Sequence, residues 1–220
     1  MRIKWFSLIR ITGLLLVLLY HFFQTIFPGG FFGVDVFFTF SGFLITSLLL
    51  EEFGKKSQID LLGFFKRRFY RIVPPVVLMV LVTMPFTLLV RQDYVAGIGG
   101  QIAGVFGFMT NFYEMLTGGS YESQFIPHLF VHNWSLAVEV HYYILWGLAV
   151  WFLSKRSKSS SQLRGMVFLL SAGAFIISFF SMFIGSLMAS SYSSVYFSSL
   201  THVYPCLLYT SPSPRDATLS

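Results

Sequence analysis

A few polar side chains lie within stretches of this sequence that are otherwise almost wholly apolar. His21 ends the run "ITGLLLVLLYH", and Glu139 stands between two valines in "HNWSLAVEVHYYILW". In a water-poor cavity, a carboxylate beside a histidine tunes that histidine as a general base. We therefore expect His21 and Glu139 to face each other in one chamber. A structural network of hydrogen bonds between helices is the alternative.

Arg10 lies eleven residues before His21 in the same apolar run. Eleven helical steps of 100° end about 20° past three full turns, so the two side chains share a helix face. The rise between them is ~16 Å, about half the hydrocarbon thickness of a bilayer. Arg10 is therefore expected near the cytoplasmic side and His21 in the outer half. Alternatively, Arg10 reaches lipid headgroups and His21 caps a helix end.

The stretch around Glu139 has a polar stripe if it is helical. The positions that share the stripe with Glu139 are His132, Ser135, Tyr142 and Trp146. His141 projects to the other side of the same helix and is a weaker candidate for catalysis. For His128 and His202, the sequence indicates no partner.

Two further features could serve a catalytic site or simply a helix end. Asp35 follows Gly30 and Gly33, which permit close backbone approach or a kink. A carboxylate there favours a helix N-terminus through the macrodipole, or it orients a catalytic partner.

The basic cluster, "KRRFYRIVPP", contains Lys66, Arg67, Arg68 and Arg71. Because prolines suit the first turn of a helix, we expect Pro74 and Pro75 to lie in the first turn of the third apolar helix. Such a cluster is typical of cytoplasmic flanks of membrane helices. It could also form a phosphate cradle for coenzyme A, because arginine forks bind phosphate oxygens bidentately.

The elements that must position these residues are membrane helices. The chain of 220 residues is 55% hydrophobic and only 11% charged, whereas a soluble domain carries about 25% charged residues. We predict an all-α fold, a polytopic transmembrane helix bundle. The candidate spans are 7–27, 31–50, 72–90, 95–113, 134–153 and 166–189. The net charge of +6 comes from basic residues bunched between these spans and does not indicate nucleic-acid binding.

The positive-inside rule conflicts with six full spans. It assigns both basic loops, "EEFGKKSQIDLLGFFKRRFYR" and "SKRSKSSSQLR", to the cytoplasm. If 95–113 crossed the membrane, the second loop would lie outside. The glycine-rich run "GIGGQIAGVFG" suits a re-entrant or broken segment instead. We therefore favour a non-crossing 95–113, with 114–133 outside.

Several other kinds of site are excluded. The single cysteine, Cys206, permits no intramolecular disulfide. The sequence contains neither a Cys/His set at zinc-ligand spacing nor a Walker or dinucleotide motif, so no metal site is predicted. The N-terminus is interpreted as a retained helix because no small-residue cleavage site follows it.

Four motifs occur in a fixed order and together carry a resemblance. They are the Arg10–His21 pair, "GGFFGVDVFFTFSGFLIT", "FFKRRFYRIVPP" and "WSLAVEVHYY". In this order they resemble the membrane acyltransferase-3 family, integral-membrane O-acyltransferases of bacterial envelope polysaccharides. The sequences of these motifs most resemble those of Gram-positive peptidoglycan O-acetyltransferases. Many of those proteins have an additional extracytoplasmic domain of the SGNH hydrolase fold.

The resemblance also bears on the extent of the domain. Family members have about ten helices, so we expect residues 1–205 to be the N-terminal part of the acyltransferase domain, with about six of those helices. Residues 206–220 turn abruptly rich in Ser, Pro and Thr. They resemble translated sequencing-adapter DNA and are predicted to be an unrelated tail, with a disordered C-terminus as the alternative.

The resemblance implies a role for each matched residue. His21 would be the acyl-transfer base or relay, and Arg10 would help to hold the donor. Glu139 and Ser135 match the positions around "WSL", and Asp35 matches the aspartate after the glycines. The arginines that match the motif for coenzyme A phosphates are Arg67, Arg68 and Arg71. Val140 and His141 depart from the Glu and Gln that many members have there.

Together these features predict a multi-pass protein of the bacterial plasma membrane. It would move an acetyl group from cytoplasmic acyl-CoA, most simply acetyl-CoA, to a hydroxyl of an extracytoplasmic cell-envelope glycan such as peptidoglycan. No permanently bound cofactor is expected. The rival interpretation is a transporter or channel without chemistry, whose intramembrane charges serve ion or substrate passage. A non-catalytic membrane scaffold would leave the polar stripe unexplained.

Overall fold

The computed structural model of the protein is mainly α-helical, and no β-strand occurs in the segments that it describes. These are residues 4–23, 25–27, 32–87, 89, 97–117, 128–188 and 192–208. The helix bounds are α1 Lys4–Phe22, α2 Gly33–Lys56, α3 Leu61–Phe86, α4 Ile98–Phe106, α5 Thr110–Thr117, α6 Trp134–Arg156, α7 Ser160–Met188, α8 Tyr192–Phe197, α9 Ser199–His202 and α10 Tyr204–Leu208. A 3-10 turn, Val131–Asn133, leads into α6. The predicted all-α bundle is confirmed.

Within the part of the chain that the structure describes, four helices are long and apolar enough to cross a membrane. They are α2, α3, α6 and α7, with 24, 26, 23 and 29 residues. A helix of about 20 residues spans the hydrocarbon core, so each is sufficient. The apolar part of α1, Ile11–Phe22, is shorter. Large apolar side chains that face outward, such as Leu169 and Leu187, match a lipid environment.

Helix α3 begins earlier than the sequence predicted. Asp60 caps its N-terminus by accepting a hydrogen bond from the Gly63 amide at 2.9 Å. The expectation that Pro74 and Pro75 occupy the first turn is therefore wrong, because they lie inside the helix. Prolines are tolerated inside membrane helices where neighbouring groups satisfy the freed carbonyls. As a result, the basic cluster lies on the helix itself, which fixes the directions of its side chains.

The segment 95–113 does not form one spanning helix. Its described part divides into α4, with 9 residues, and α5, which begins at Thr110 and has 8 residues. Between the two helices, Phe108 adopts a left-handed backbone conformation with φ 52°. Each piece is only ~12–14 Å long, less than half the hydrocarbon thickness. The predicted span is thus wrong, and the alternative of a broken segment is confirmed.

The core lies between α2, α6 and α7. Ile45 and Leu49 of α2 pack with Val138 and Val150 of α6 and with Leu163 of α7, and all five are at most 1% exposed. The large number of aromatic side chains fills the spaces between these aliphatic residues. This core fixes the rotation of α6, on which the site depends.

Glycine permits the closest contact between α1 and α2. A Cβ added at Gly33 would lie 2.7 Å from the carbonyl oxygen of Gly13 and 2.8 Å from Val17 Cγ2. Because Cβ atoms do not approach so closely, any larger residue at position 33 would force the helices apart. This confirms the predicted close backbone approach at Gly33, whereas Gly30 lies outside the described residues.

Candidate active site

Glu139 lies at the centre of a hydrogen-bonded group formed by α2 and α6. Its Oε1 accepts hydrogen bonds from the hydroxyls of Ser41 and Tyr143. Tyr143 is four residues further along α6, so the helix itself brings the two side chains together. Ser41 comes from α2, 98 residues away in sequence. A carboxylate held by two hydroxyl donors has a fixed position and direction.

Arg68 of α3 is a cation that interacts with this carboxylate and with Tyr143. Its guanidinium carbon lies 5.7 Å from the centroid of the Phe64 ring and 5.9 Å from that of Tyr143. Among the described residues, its Nε atom is buried without a hydrogen-bond partner. Arg68 and Glu139 also interact electrostatically. Tyr143 thus contacts both the carboxylate, through its hydroxyl, and the guanidinium, through its ring.

A cavity of about 340 Å³ opens on this group. Its polar lining comes from Ser41, Arg68, Arg71, Glu139 and Tyr143. Arg68 and Arg71 are three residues apart on α3 and so lie on the same face. Two guanidinium groups and one carboxylate therefore meet in one half-enclosed space between the helices.

A second cavity, of about 320 Å³, lies at the basic end of α2 and α3. It is lined by Glu51, Glu52, Lys55, Lys56 and Arg67, and it shares Arg68 with the first cavity. Arg67 donates to Glu52 across 3.4 Å, from an exposed position. Of the three arginines predicted to form one cluster, Arg68 and Arg71 thus meet in the inner cavity, whereas Arg67 contributes only to the outer one.

His21 forms a separate group with His132. Its Nδ1 lies 2.8 Å from the Val17 carbonyl oxygen. Because a carbonyl only accepts, Nδ1 carries the proton and Nε2 presents a lone pair in the neutral ring. The ring of His132 lies 5.0 Å away, centroid to centroid, at an interplanar angle of 69°. His21 therefore has the tautomer that a general base requires at Nε2.

His21 and Glu139 are connected through α6. The hydrogen bonds of Glu139 go to Ser41 and Tyr143, and His21 contacts His132. His132 precedes Glu139 by seven residues, which corresponds to about 10 Å along a helix. His21 thus contacts a residue that lies about two helical turns before Glu139.

The other predicted site residues occupy more peripheral positions. Asp35 lies in the first turn of α2, and its Oδ1 is buried without a hydrogen-bond partner among the described residues. It interacts electrostatically with Tyr204. The Ser135 hydroxyl donates to the His132 carbonyl at 3.3 Å instead of bonding Glu139. The backbone of Arg10 belongs to α1, and its side chain lies outside the described part of the structure.

Comparison with known proteins identifies the fold. The profile of the family described as "Acyltransferase domain" matches residues 3–210 of this chain. The chain belongs to the acyltransferase-3 family. The resemblance based on the four motifs is therefore confirmed.

Relatives of this acyltransferase-3 chain are proteins of Staphylococcus aureus. O-acetyltransferase OatA of strain NCTC 8325 / PS 47 is 32% identical over 202 residues, which cover 91% of this chain and 32% of OatA. The protein SACOL0978 of strain COL is 33% identical over 201 residues, covering 91% of this chain and 32% of that protein. The chain thus spans about a third of the length of these relatives. No solved structure matches it.

Sequence reasoning missed several polar contacts in this acyltransferase-3 chain. Ser41 and Tyr143 carried no signal beyond being polar residues in apolar helices. His128, for which no partner was found, contacts Glu114 at 2.9 Å, and that carboxylate is only 1% exposed. The presence of a charged residue, Glu114, in an otherwise apolar stretch could have indicated a partner for His128. Within the described ranges, no group of three or more His, Cys, Asp or Glu residues could hold a metal ion.

Proposed function

We propose that this chain is the membrane part of an O-acyltransferase of the cell envelope. It would move an acetyl group from cytoplasmic acyl-CoA to a hydroxyl of an extracytoplasmic glycan. The single observation that carries the proposal is the pair of cavities that share Arg68. One is open at the basic helix ends, and the other contains Glu139 within the bundle.

The distribution of basic residues supports a direction for the transfer. Lys55 and Lys56 end α2, and Lys155 and Arg156 end α6. Because α4 and α5 are too short to cross, α3 runs away from this side and α6 returns to it. All basic helix ends then fall on one side of the plasma membrane, which we assign to the cytoplasm. His21, at the opposite end of α1, belongs to the outer half.

The arginines could bind a donor molecule that carries several phosphates. Guanidinium forks bind phosphate oxygens bidentately, and weak hydration makes arginine suitable for a half-buried site. Arg67 would meet the nucleotide end of acyl-CoA in the outer cavity. Arg68 and Arg71 would hold the phosphates nearer the bundle, so that the pantetheine arm extends beside Glu139. Arg10 would steady the donor from α1.

The transfer itself is assigned to His21. Its Nε2 lone pair would take the proton of an acceptor hydroxyl as the oxygen attacks the thioester carbonyl. The bond from oxygen to the acyl carbon forms, the carbon–sulfur bond breaks, and the proton passes to the departing thiolate. Glu139, with Asp35 and Ser135 in supporting positions, would stabilise the imidazolium through the polar groups of α6.

The acceptor class is proposed by analogy with the relatives. OatA is named an O-acetyltransferase, and we propose acetylation of an envelope glycan, with peptidoglycan as the first candidate. An extracytoplasmic SGNH-type domain or partner would complete the transfer.

The deciding experiment uses the full-length protein in membrane vesicles with acetyl-CoA labelled in the acetyl group. We expect label to appear on glycan hydroxyls with release of coenzyme A, and His21→Ala to abolish this while the protein still inserts. The matched control is Lys158→Ala, at the exposed end before α7. If the wild type binds no coenzyme A and moves no label, the proposal fails and the transporter interpretation is favoured.

A further inference from the structure

A second group of polar side chains lies on the opposite side of α6 from Glu139. His141 Nδ1 is 2.8 Å from Ser199 Oγ. Asn111, from α5, donates its side-chain N–H to the same Ser199 oxygen at 3.0 Å. Three helices, α5, α6 and α9, thus bring an amide, an imidazole and a hydroxyl together. No role has been assigned to any of these residues above.

The geometry allows the serine proton to point at the histidine. In the tautomer with its proton on Nε2, His141 presents the Nδ1 lone pair to Ser199. Asn111 donates to Oγ from another direction, so in this tautomer the serine hydroxyl donates to His141. A hydroxyl within 2.6–3.2 Å of an oriented base is the usual geometry of an activated nucleophile.

Asn111 holds this group in a fixed position. Asn111 is 0% exposed, and its amide also donates to the Phe197 carbonyl at 3.2 Å. Its Oδ1 is buried without a hydrogen-bond partner in the described part of the chain. A buried acceptor without a partner destabilises a fold, so its retention needs a reason. Holding the Ser199 oxygen in place supplies one.

Ser199 and His141 open on an apolar cavity. The cavity has a volume of about 480 Å³, and its walls include Phe112, Leu145 and Leu170. Apart from the His141 and Ser199 end, the lining is almost entirely hydrocarbon and aromatic. A ligand that fits must be apolar along most of its length and carry one electrophilic or hydrogen-bonding group. A long-chain acyl ester has this pattern.

We propose that Ser199 is a nucleophile and His141 its base, acting on the carboxylic ester of a long-chain acyl group. Ser199 Oγ bonds to the acyl carbon while its proton passes to His141 Nδ1. The ester carbon–oxygen bond breaks, and the leaving alcohol takes that proton. Water then attacks the serine ester, passing its proton through His141 back to Ser199 and releasing the fatty acid. This activity does not depend on the proposed acetyl transfer.

The test is covalent labelling of the full-length protein in detergent with a long-chain alkyl fluorophosphonate, followed by peptide mass spectrometry. We expect a single phosphonyl adduct on Ser199, and at least a tenfold slower labelling in His141→Gln. Ser198→Ala is the matched control, because this adjacent serine lines the same cavity, and it should label at the wild-type rate.

Each outcome decides the proposal. An unlabelled wild-type protein overturns it without need of any variant. An adduct on Ser198, or equal rates in the wild type and a folded His141→Gln protein, also overturns it. Labelling of Ser199 in a protein that transfers no acetyl group would leave this site standing and remove only the proposed function. Thermal unfolding of each variant in detergent shows whether a lost adduct reflects lost structure.

Discussion

His21 and His132 approach each other from different helices, with ring centroids 5.0 Å apart. His21 belongs to α1 and His132 to the 3-10 turn before α6, so the contact joins these two elements. The Val17 carbonyl fixes the proton of His21 on Nδ1 in the neutral ring. The contact with His132 therefore helps to orient the imidazole that we propose as the base.

The first prediction concerns this pair. His132→Gln removes the ring that packs against His21, so the imidazole of His21 loses part of its orientation. We expect kcat for acetyl transfer to fall about tenfold, or ~1.4 kcal/mol. The measurement is kcat of the full-length protein, and a value equal to that of the wild type would show that His132 does not position His21.

The second prediction concerns the charge of Glu139. Glu139→Gln keeps a side-chain oxygen for Ser41 and Tyr143 but removes the negative charge beside Arg68. We expect acetyl transfer to fall by about 10²-fold or more, as when a preorganised electrostatic group is lost. Glu51→Gln is the matched control, since Glu51 forms an exposed pair with Lys55. Equal activity in the two variants would remove Glu139 from the site.

The third prediction separates the arginines. Arg68 borders both cavities, whereas Arg67 is exposed and paired with Glu52. Arg68→Lys loses the guanidinium fork, so the Kd for a coenzyme A analogue should rise about tenfold. Arg67→Lys should change it by less than about threefold, because exposed pairs contribute at most ~1 kcal/mol. Isothermal titration in detergent measures both values, and the reverse order would contradict the assignment.

The fourth prediction tests the close contact of α1 and α2. Gly33→Ala places a Cβ 2.7 Å from the Gly13 carbonyl oxygen, so the helices must separate. We expect a loss of about 1–3 kcal/mol in the free energy of unfolding. At Gly173 a Cβ meets nothing within 4 Å, so Gly173→Ala should be neutral or stabilising through helix propensity. Thermal unfolding in detergent compares the two, and similar midpoints would exclude the tight contact.

The fifth prediction uses the buried carboxyl of Glu114. Burial raises its pKa, and the hydrogen bond and charge of His128 offset part of this. Above the ordinary carboxyl pKa of about 4.3, the unfolded chain loses this proton before the folded protein does. Stability should therefore fall as pH rises from that value to the folded pKa, and then level off. Glu114→Gln should flatten this part of the curve of unfolding temperature against pH, and an unchanged curve would contradict it.

Much of the fold could be predicted from local sequence. Runs of apolar residues identify α2, α6 and α7 because crossing a bilayer requires a long apolar helix whatever its neighbours are. The bunched basic residues indicate one membrane side for the same reason. The distribution of the basic residues also favoured a broken segment over one full span at 95–113, and the described part of this segment breaks at Phe108. The start of α3 was not predicted, because the Asp60 cap outweighs the proline signal. The short helices α8, α9 and α10 were not predicted either.

The sequence by itself determined the family and the residue types of the site. Motif order and the presence of His21, Arg68 and Glu139 in apolar helices depend only on which residues follow one another. Which side chains meet was decided by tertiary structure alone. Ser41 and Glu139 are 98 residues apart, and their contact depends on how α2 and α6 rotate about their axes as the core packs. That rotation results from many small packing energies summed over whole helices, which no local pattern records.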